Sequence, residues 1–352
     1  MSYLLIAISL FLPAEKPDLA WTDVKALQFE GQGWSQVKSP FDRLPSKAEE
    51  LVRGPVWRLS RDSAGMSARF VTDSTEIACR WTLLDSNLAM PHMPATGVSG
   101  VDLYVRDEDV QWRWLACPRP TKVEMNATLV TGLPEGEREY MLYLPLYNGV
   151  SACEVGVLKG SKIHAGPARQ KDRSRPIVFY GTSITHGGCA SRAGMPHPAI
   201  LGRRLDRPII NLGFSGNGTM DIEMAALLGE LEAAVYVIDC LPNMNGARVA
   251  ERVVPFVERL RKIRPKTPIL LVEDRSFSNS FLQPSKQKHH AASRAALRSG
   301  YEALISQGVK GLSYLEGAEL LGNEDTVDGS HPTDLGFMRQ ADQFQPALEK
   351  IL

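Results

Sequence analysis

Residues 176–183 read PIVFYGTS, and this stretch decides the fold of the C-terminal half of the chain. Its first five residues form a continuous apolar run, which is typical of a β-strand buried on both faces of a parallel sheet. Similar runs follow as PIINL at 208–212, AVYVI at 234–238 and PILLV at 268–272, with amphipathic stretches between them. Strands that alternate with helices in this way predict an α/β domain, with a parallel sheet between two layers of helices.

The region before this stretch has a different pattern. It contains short segments rich in β-branched and aromatic residues, such as ARFV at 68–71, IACRW at 77–81 and YMLYL at 140–144. Strands at such short spacing predict an antiparallel β-sandwich, which we expect to be jelly-roll-like. We therefore divide the chain into an N-terminal segment (1–19), a β-sandwich domain (20–160), a linker (161–175) and an α/β domain (176–352).

The N-terminal segment allows two interpretations. Residues 3–12 form an apolar run followed by PAE at 13–15, which is similar to the core and exit of a signal peptide and favours export to the periplasm or the exterior. No basic residue precedes the run, so a tail or a docked strand in a cytoplasmic protein is the alternative. No stretch reaches the roughly 20 apolar residues of a transmembrane helix, and we expect no membrane span.

The composition argues against several classes of function. The chain has 40 basic and 40 acidic side chains, so its formal net charge is zero and nothing favours nucleic acid or an anionic membrane as a partner. Its five cysteines show no CxxC spacing and are odd in number, which argues against a zinc site and a disulfide-built scaffold. We expect neither a metal nor another cofactor. The sequence does not indicate an oligomeric state.

The residues that follow each apolar run are candidates for a site, because ligands of α/β sheets bind beyond the carboxyl ends of the strands. Ser183 follows the first run, two residues after Gly181, where a tight turn into a helix would present its hydroxyl above the sheet. A Ser or Thr at such a turn is also an ordinary helix cap. This segment alone therefore leaves both interpretations open.

The second and third runs are followed by residues that can donate hydrogen bonds. The sequence GFSGNG at 213–218 lets backbone amides approach a ligand closely. A phosphate loop is the alternative, but the P-loop and GxGxxG registers are absent. Asn243 follows the third run, and its side-chain amide either points toward the same place or belongs to an ordinary turn beside Pro242.

A pair of acid–base residues stands near the C-terminus. Asp328 and His331 are three positions apart, ahead of a final helix that we expect to begin near Asp334. At that spacing the carboxylate can fix the tautomer of the imidazole, which is then free to reach a neighbouring hydroxyl. In a chain that also has a serine after a buried strand, this pair predicts a Ser-His-Asp arrangement.

Taken together, the four segments resemble the consensus blocks of the SGNH (GDSL-like) hydrolase family. Those blocks are G-D-S near the start of the domain, a glycine after the second strand, G-x-N-D after the third and D-x-x-H at the end. They correspond here to residues 181–183, Gly216, Asn243 and residues 328–331, in the family's order across residues 175–352.

Two departures from the family pattern bear on the site. Thr182 replaces the usual Asp of the first block and leaves the serine intact. The third block reads LPNM at 241–244, which retains the asparagine but changes the turn around it. In the N-terminal half, GVDLY at 100–104 is similar to the G-x-D-L-Y signature of a β-domain that precedes the catalytic domain in a subset of bacterial SGNH esterases.

The resemblance implies a three-layer α/β/α sandwich and a serine esterase without a cofactor. It implies Ser183 as the nucleophile, His331 as its general base and Asp328 as the partner of His331. The backbone amides of Ser183 and Gly216 and the side chain of Asn243 would form the oxyanion hole. Loss of one such donor typically lowers turnover by about 10²–10³-fold.

The resemblance also limits the substrate. Short acyl groups on sugars are frequent targets of the family, so we expect a small-molecule or glycan ester with an acetyl-like acyl group. A general arylesterase, a thioesterase or a lysophospholipase is the enzymatic alternative. A carbohydrate-binding protein on a decayed hydrolase fold is the non-enzymatic one.

Further residues are candidates for the walls of the pocket. Thr182, His186 and Arg192 lie close to the nucleophile in sequence, although a surface position is the alternative for the last two. Residues 90–97, MPHMPATG, are unusually apolar for a loop. They either form one wall of the site or pack between the two domains.

Overall fold

The computed structural model describes residues 17–352. The signal-peptide interpretation depends largely on residues 1–16, which lie outside the described residues, so export stays a prediction. Across residues 17–352, no helix is both long enough and apolar enough to cross a membrane.

The N-terminal half is a sandwich of two antiparallel sheets, as predicted. Its strands are β1 (Leu19–Asp23), β2 (Gln28–Glu30), β3 (Ser67–Thr72), β4 (Glu76–Leu83), β5 (Asp102–Arg106), β6 (Trp112–Ala116), β7 (Glu124–Thr131), β8 (Arg138–Tyr143), β9 (Val150–Leu158) and β10 (Ile163–Ala165). One sheet has the order β1-β9-β4-β7, and the other has the order β10-β3-β8-β5-β6 with β2 paired to β3. Trp81, Phe70 and Leu142 are among the buried side chains between the sheets. Two short helices, α1 (Gly54–Leu59) and α2 (Ala95–Val98), lie in the connections.

The segment that we predicted to be a linker, residues 161–175, is in part built into the sandwich. Strand β10 lies within it and pairs with β3. Arg169 then forms ion pairs with Glu30 of the β-domain and with Asp206 of the α/β domain, both at 2.7 Å. The segment therefore ties the two domains together through a nearly buried guanidinium.

The C-terminal half is a parallel sheet with helices on both faces. Its elements are β11 (Ile177–Gly181), α3 (Ser183–His186), α4 (His197–Arg204), β12 (Ile209–Gly213), α5 (Ile222–Leu228), β13 (Val235–Asp239), α6 (Gly246–Ile263), β14 (Ile269–Val272), α7 (Pro284–Ser306), β15 (Leu312–Leu315) and α8 (Asp334–Glu349). The strand order is β12-β11-β13-β14-β15, and every neighbouring pair is parallel. The predicted start of the final helix at Asp334 is confirmed.

Successive residues of β11 show how the three layers form. Val178 and Tyr180 point into one core, which α5, α6 and α7 cover, whereas Ile177 and Phe179 point into a second core, which α4 and α8 cover. The predicted α/β/α sandwich is therefore confirmed. Because the chain winds outward in both directions from β11, the carboxyl ends of β11, β12 and β13 lie side by side, and the residues that follow them meet.

Candidate active site

Ser183 is the first residue of α3, at the point where β11 ends. Glycine is required at position 181, because a Cβ there would lie 2.1 Å from Thr185 Oγ1 and 2.8 Å from the carbonyl oxygen of Asp239. Thr182 is fully buried, and its Oγ1 accepts a hydrogen bond from the amide of Ile184 at 3.3 Å. Thr182, which we had named as a pocket candidate, therefore caps the helix that presents Ser183.

A buried ion pair between Arg275 and Asp239 contacts α3 through Thr185. Thr185 Oγ1 donates to Asp239 Oδ2 at 3.0 Å, and Arg275 Nη2 donates to the same carboxylate oxygen at 2.8 Å. Burial raises the pKa of Asp239, while Arg275 and Thr185 act against that rise. Since all three side chains are buried, the helix that carries Ser183 rests on a fixed polar support.

The predicted Ser, His and Asp form one hydrogen-bonded chain. Ser183 Oγ lies 2.8 Å from His331 Nε2, and His331 Nδ1 lies 2.7 Å from Asp328 Oδ2. An ionised Asp328 can only accept, so Nδ1 carries the proton and Nε2 is free to accept the proton of Ser183. This is the arrangement in which a histidine acts as a general base toward a serine.

Residues 326–331, which carry this pair, are called the acid–base loop below, and within them Val327 and Asp328 are exposed. Asp328 Oδ1 accepts hydrogen bonds from the amides of Ser330 at 3.0 Å and of His331 at 2.8 Å. Burial alone would raise the pKa of Asp328, but these amides and the imidazole outweigh it and lower the pKa to about 2. The carboxylate is therefore ionised throughout the pH range in which an esterase works.

The opposite side of Ser183 is formed by residues 214–221, called the oxyanion loop below after the role that the family resemblance implies for Gly216. Gly216 has a φ of +67°, and the space where a Cβ would stand is open. Among the backbone hydrogen bonds of residues 17–352, none uses the Gly216 amide. Gly218 packs so closely on β11 that a Cβ would lie 1.9 Å from the carbonyl oxygen of Gly181. The loop thus holds a free amide donor on the same side of the sheet as Ser183.

Asn243, in the turn after β13, reaches the same loop. In the orientation that satisfies both ends of its amide, Oδ1 accepts from Asn217 N at 3.0 Å and from Gly218 N at 3.2 Å. Its Nδ2 group is then the end of the amide that can donate to a ligand. Although the residues around Asn243 depart from the G-x-N-D block, its side chain still hydrogen-bonds the oxyanion loop.

Two arginines of the β-domain bind the oxyanion loop and the residue before it, and neither could be predicted from the sequence pattern. Arg53 donates to Asn217 Oδ1 at 2.8 Å, to Asn217 O at 2.8 Å and to Asp221 Oδ2 at 3.0 Å. Arg43 is fully buried and donates to Gly213 O, just before the loop, at 2.6 Å. Burial lowers the pKa of Arg43 to about 10, which leaves it charged at neutral pH.

The β-domain also places two aromatic side chains at the site. The hydroxyl of Tyr147 lies 3.3 Å from the carbonyl oxygen of Ser183 and 3.4 Å from Ser215 Oγ. The ring of His92 lies 5.9 Å from that of His331, measured between centroids. His92 belongs to the apolar loop 90–97, so this loop does lie at the site. Tyr147 had no sequence signal beyond its position after a strand.

His186, a second pocket candidate, lies beneath the site and is fully buried. Its ring stacks on Tyr147 with centroids 4.0 Å apart, and its Nε2 lies 2.6 Å from the carbonyl oxygen of Leu146. Burial and the nearby Arg43 hold the pKa of His186 well below its usual range. A neutral, buried imidazole here positions Tyr147 and has no path to substrate.

Arg192, the third pocket candidate, binds the GVDLY segment. It donates to Asp102 Oδ2 at 2.8 Å and to the hydroxyl of Tyr104, and Asp102 also accepts from the amide of Gly194 at 2.9 Å. The Asp and Tyr of the G-x-D-L-Y signature therefore contact the segment that follows α3, and so help to join the two domains. The signature residues Asp102 and Tyr104 are thus interdomain contacts.

Comparisons with known proteins agree with this geometry. The model of the GDSL-like lipase/acylhydrolase family matches residues 174–349, and the GxDLY model, which describes the N-terminus of SGNH-hydrolase-type esterases, matches residues 19–163. No curated protein matches the chain.

Solved structures extend over both domains. A candidate GDSL-like lipase from Bacteroides ovatus is 32% identical, with a TM-score of 0.89 over 95% of this chain and 98% of that chain. A salicylyl-acyltransferase from a tetracycline biosynthetic pathway is 20% identical, with a TM-score of 0.75 over 95% and 97% of the two chains. A family two carbohydrate esterase from Clostridium thermocellum, in complex with cellohexaose, is 15% identical, with a TM-score of 0.58 over 82% and 92%. The last two likenesses show the fold alone.

The family models cover the two domains in the order that the sequence predicted, and the Bacteroides ovatus protein has the same architecture from end to end. The chain therefore belongs to the GDSL-like lipase/acylhydrolase family and is a carboxylic ester hydrolase with the N-terminal β-domain of SGNH-type esterases.

Proposed function

We propose that this chain removes short acyl groups, acetyl in the first place, from hydroxyl groups of a carbohydrate. The observation that carries the proposal is the hydrogen-bonded chain from Ser183 through His331 to Asp328 at the carboxyl end of β11. His331 accepts the proton of Ser183 as Ser183 Oγ attacks the ester carbonyl carbon. The protonated imidazole is stabilised by the ionised Asp328.

The oxyanion formed in this step lies between α3 and the oxyanion loop. The amides of Ser183 and Gly216 and the Nδ2 group of Asn243 donate to it. His331 then gives its proton to the alcohol oxygen, and the alcohol leaves as the acyl-enzyme forms. A water molecule, deprotonated by His331, attacks the acyl carbon and releases the acid and Ser183.

Two features favour a small acyl group on a polar alcohol. The hydroxyl of Tyr147 lies within hydrogen-bond distance of both Ser183 O and Ser215 Oγ, so its side chain would limit the room for an acyl group on that side. The mouth is open to solvent at Asp328 and His331, whose side chains are 43% and 25% exposed, so a large hydrophilic alcohol can approach. The structurally similar esterase from Clostridium thermocellum was solved with an oligosaccharide, which is consistent with this choice.

The proposal is tested by comparing acetate release from an acetylated xylo-oligosaccharide with hydrolysis of C4–C8 p-nitrophenyl esters. We expect a higher kcat/KM on the sugar acetate. Ser183→Ala should lower kcat by about 10³-fold or more on every substrate. Asn243→Ala should lower it by about 10²–10³-fold, because it removes one oxyanion donor.

Two results would contradict the proposal. Full activity of Ser183→Ala would remove Ser183 as the nucleophile. A preference for the C8 ester over the sugar acetate would instead favour the alternative that the sequence left open, an arylesterase, thioesterase or lysophospholipase.

A further inference from the structure

His92 is a polar side chain at the mouth of the site that no step of the reaction uses. Its ring is tilted by 58° to that of His331 at a centroid distance of 5.9 Å, so the two rings are neighbours without being stacked. The side chain is exposed, and within residues 17–352 neither of its ring nitrogens has a hydrogen-bond partner. Its hydrogen-bonding capacity is therefore available to a ligand.

The backbone that carries His92 is a closed turn. Met93 N donates to Met90 O at 3.1 Å, and Met90 N donates to Met93 O at 2.9 Å. Pro91 occupies the second position of the turn, where its fixed φ is favourable. Met93 is buried while His92 is exposed, so the turn is anchored by the methionine and presents the imidazole.

This turn is fixed to the catalytic domain by the residues that follow it. Thr96 Oγ1 donates to the carbonyl oxygen of Ser191 at 2.6 Å. Gly97 approaches so closely that a Cβ would lie 2.2 Å from the carbonyl oxygen of Ala190. The position of His92 relative to the nucleophile helix is thus set before a substrate binds, which lowers the entropic cost of any contact that it makes.

The chemistry of the reaction decides which part of the substrate His92 faces. His331 has to deliver its proton to the leaving alcohol oxygen, so the alcohol lies next to His331. The carbonyl oxygen lies on the other side of Ser183, toward Gly216 and Asn243. As a neighbour of His331, His92 is therefore better placed to contact the alcohol part of the ester than the acyl part.

We propose that His92 is a specificity-determining residue, which hydrogen-bonds a hydroxyl group on the carbon next to the esterified one. The β-domain would then select monoesters of vicinal diols, the arrangement that a partly acylated sugar presents. An imidazole offers one donor and one acceptor, and a hydroxyl does both, so the pairing requires no charge. The inference rests on the proposed function, because an aryl ester or a thioester has no such hydroxyl.

A matched pair of small esters isolates this contact in the full-length chain. In 2-hydroxyethyl acetate the neighbouring hydroxyl is present, and in 2-methoxyethyl acetate it is methylated. We expect the wild-type protein to favour the hydroxyl ester by about 3- to 10-fold in kcat/KM, the effect of one hydrogen bond. His92→Phe should abolish this preference, and His92→Gln, which keeps a donor and an acceptor, should retain part of it.

His164→Ala is the control, because His164 is an exposed histidine of β10 in the same domain. It should keep the wild-type preference. If His92→Phe keeps that preference, or if it lowers both rates equally, the role assigned to His92 is wrong while the proposed function stands. If the wild type releases acetate from neither ester nor from the sugar acetate, the proposed function itself fails.

Discussion

The acid–base loop and the oxyanion loop meet at Ser183, but they are held in opposite ways. The first is held within the catalytic domain, since Asp328 accepts from two amides within three residues of it and Ser278 N donates to Gly329 O at 2.9 Å. The second is held in part from the other domain. Arg53 lies more than 150 residues before the groups that it binds.

In the proposed mechanism, this difference divides the chemistry between the domains. The groups proposed to move protons lie within the catalytic domain. The groups proposed to stabilise negative charge lie on a loop that Arg53 of the β-domain helps to hold, together with Asn243 and Arg252 of the catalytic domain. We therefore expect removal of the β-domain to impair the proposed oxyanion hole as well as the mouth of the site.

The largest expected loss of kcat comes from a change in the acid–base loop. Asp328→Asn should lower kcat by about 10³–10⁴-fold on the sugar acetate, because an amide in place of the carboxylate favours the wrong tautomer of His331 and cannot stabilise the imidazolium. The free energy of unfolding should fall by at most about 1 kcal/mol at neutral pH, since the lowered pKa of Asp328 stabilises the fold but the side chain is 43% exposed. Steady-state kinetics and thermal unfolding of the same preparation measure both.

Asp342→Asn is a matched control for this variant. Asp342 is an exposed residue of α8 that pairs with Arg204, so its neutralisation should leave kcat unchanged. If Asp328→Asn retains more than a tenth of the wild-type kcat, Asp328 is not the partner of His331 in catalysis.

A smaller loss of kcat is expected from a change in the contacts between the β-domain and the oxyanion loop. Arg53→Gln removes charge-assisted hydrogen bonds to Asn217 and Asp221, so the oxyanion loop should lose part of its preorganisation. We expect kcat to fall about 10-fold while KM changes less than about 2-fold, since the loop acts mainly on the transition state. Arg58→Gln, at an exposed position of α1, the helix that begins directly after Arg53, should change neither constant. An effect of Arg53→Gln on KM alone would contradict this role.

The same division explains what could be predicted from the sequence. The buried strands were identifiable because each is a continuous apolar run, whereas β15 was missed because it is a half-buried edge strand. Ser183 could be named as a candidate because it directly follows a buried apolar run, and Asp328 and His331 because they lie three positions apart. Arg53 and Tyr147 were not, because their contacts depend on how one domain docks on the other.

Two carboxylates near the site show the same contrast in their electrostatics. Asp328, which accepts three local hydrogen bonds, has its pKa lowered to about 2. Asp62, in the β-domain, has its pKa raised to about 7, chiefly by burial and despite the opposing charge of Arg43. The side chain of Asp62 lies 3.5 Å from the buried His186, behind Tyr147. Ionisation of Asp62 beside His186 is thus expected to lower the free energy of unfolding.

The smallest expected effect, on stability, follows from the raised pKa of Asp62. Because the pKa of Asp62 is raised on folding, the free energy of unfolding falls as the pH rises from about 4, the value of an unfolded Asp, to about 7. Asp62→Asn lacks this penalty. It should therefore match the wild type in stability below pH 4 and exceed it above pH 7 by about 1 kcal/mol, since the side chain keeps 17% exposure. In thermal unfolding this is a shift of about 2 °C.

Asp109→Asn, at an exposed acidic residue of the same domain, is the control and should match the wild type in stability at both pH values. A variant at Asp62 that is less stable than the wild type at pH 8 would mean that the ionised carboxylate is needed to neutralise Arg43, and the oxyanion loop would then rest on a buried ion pair.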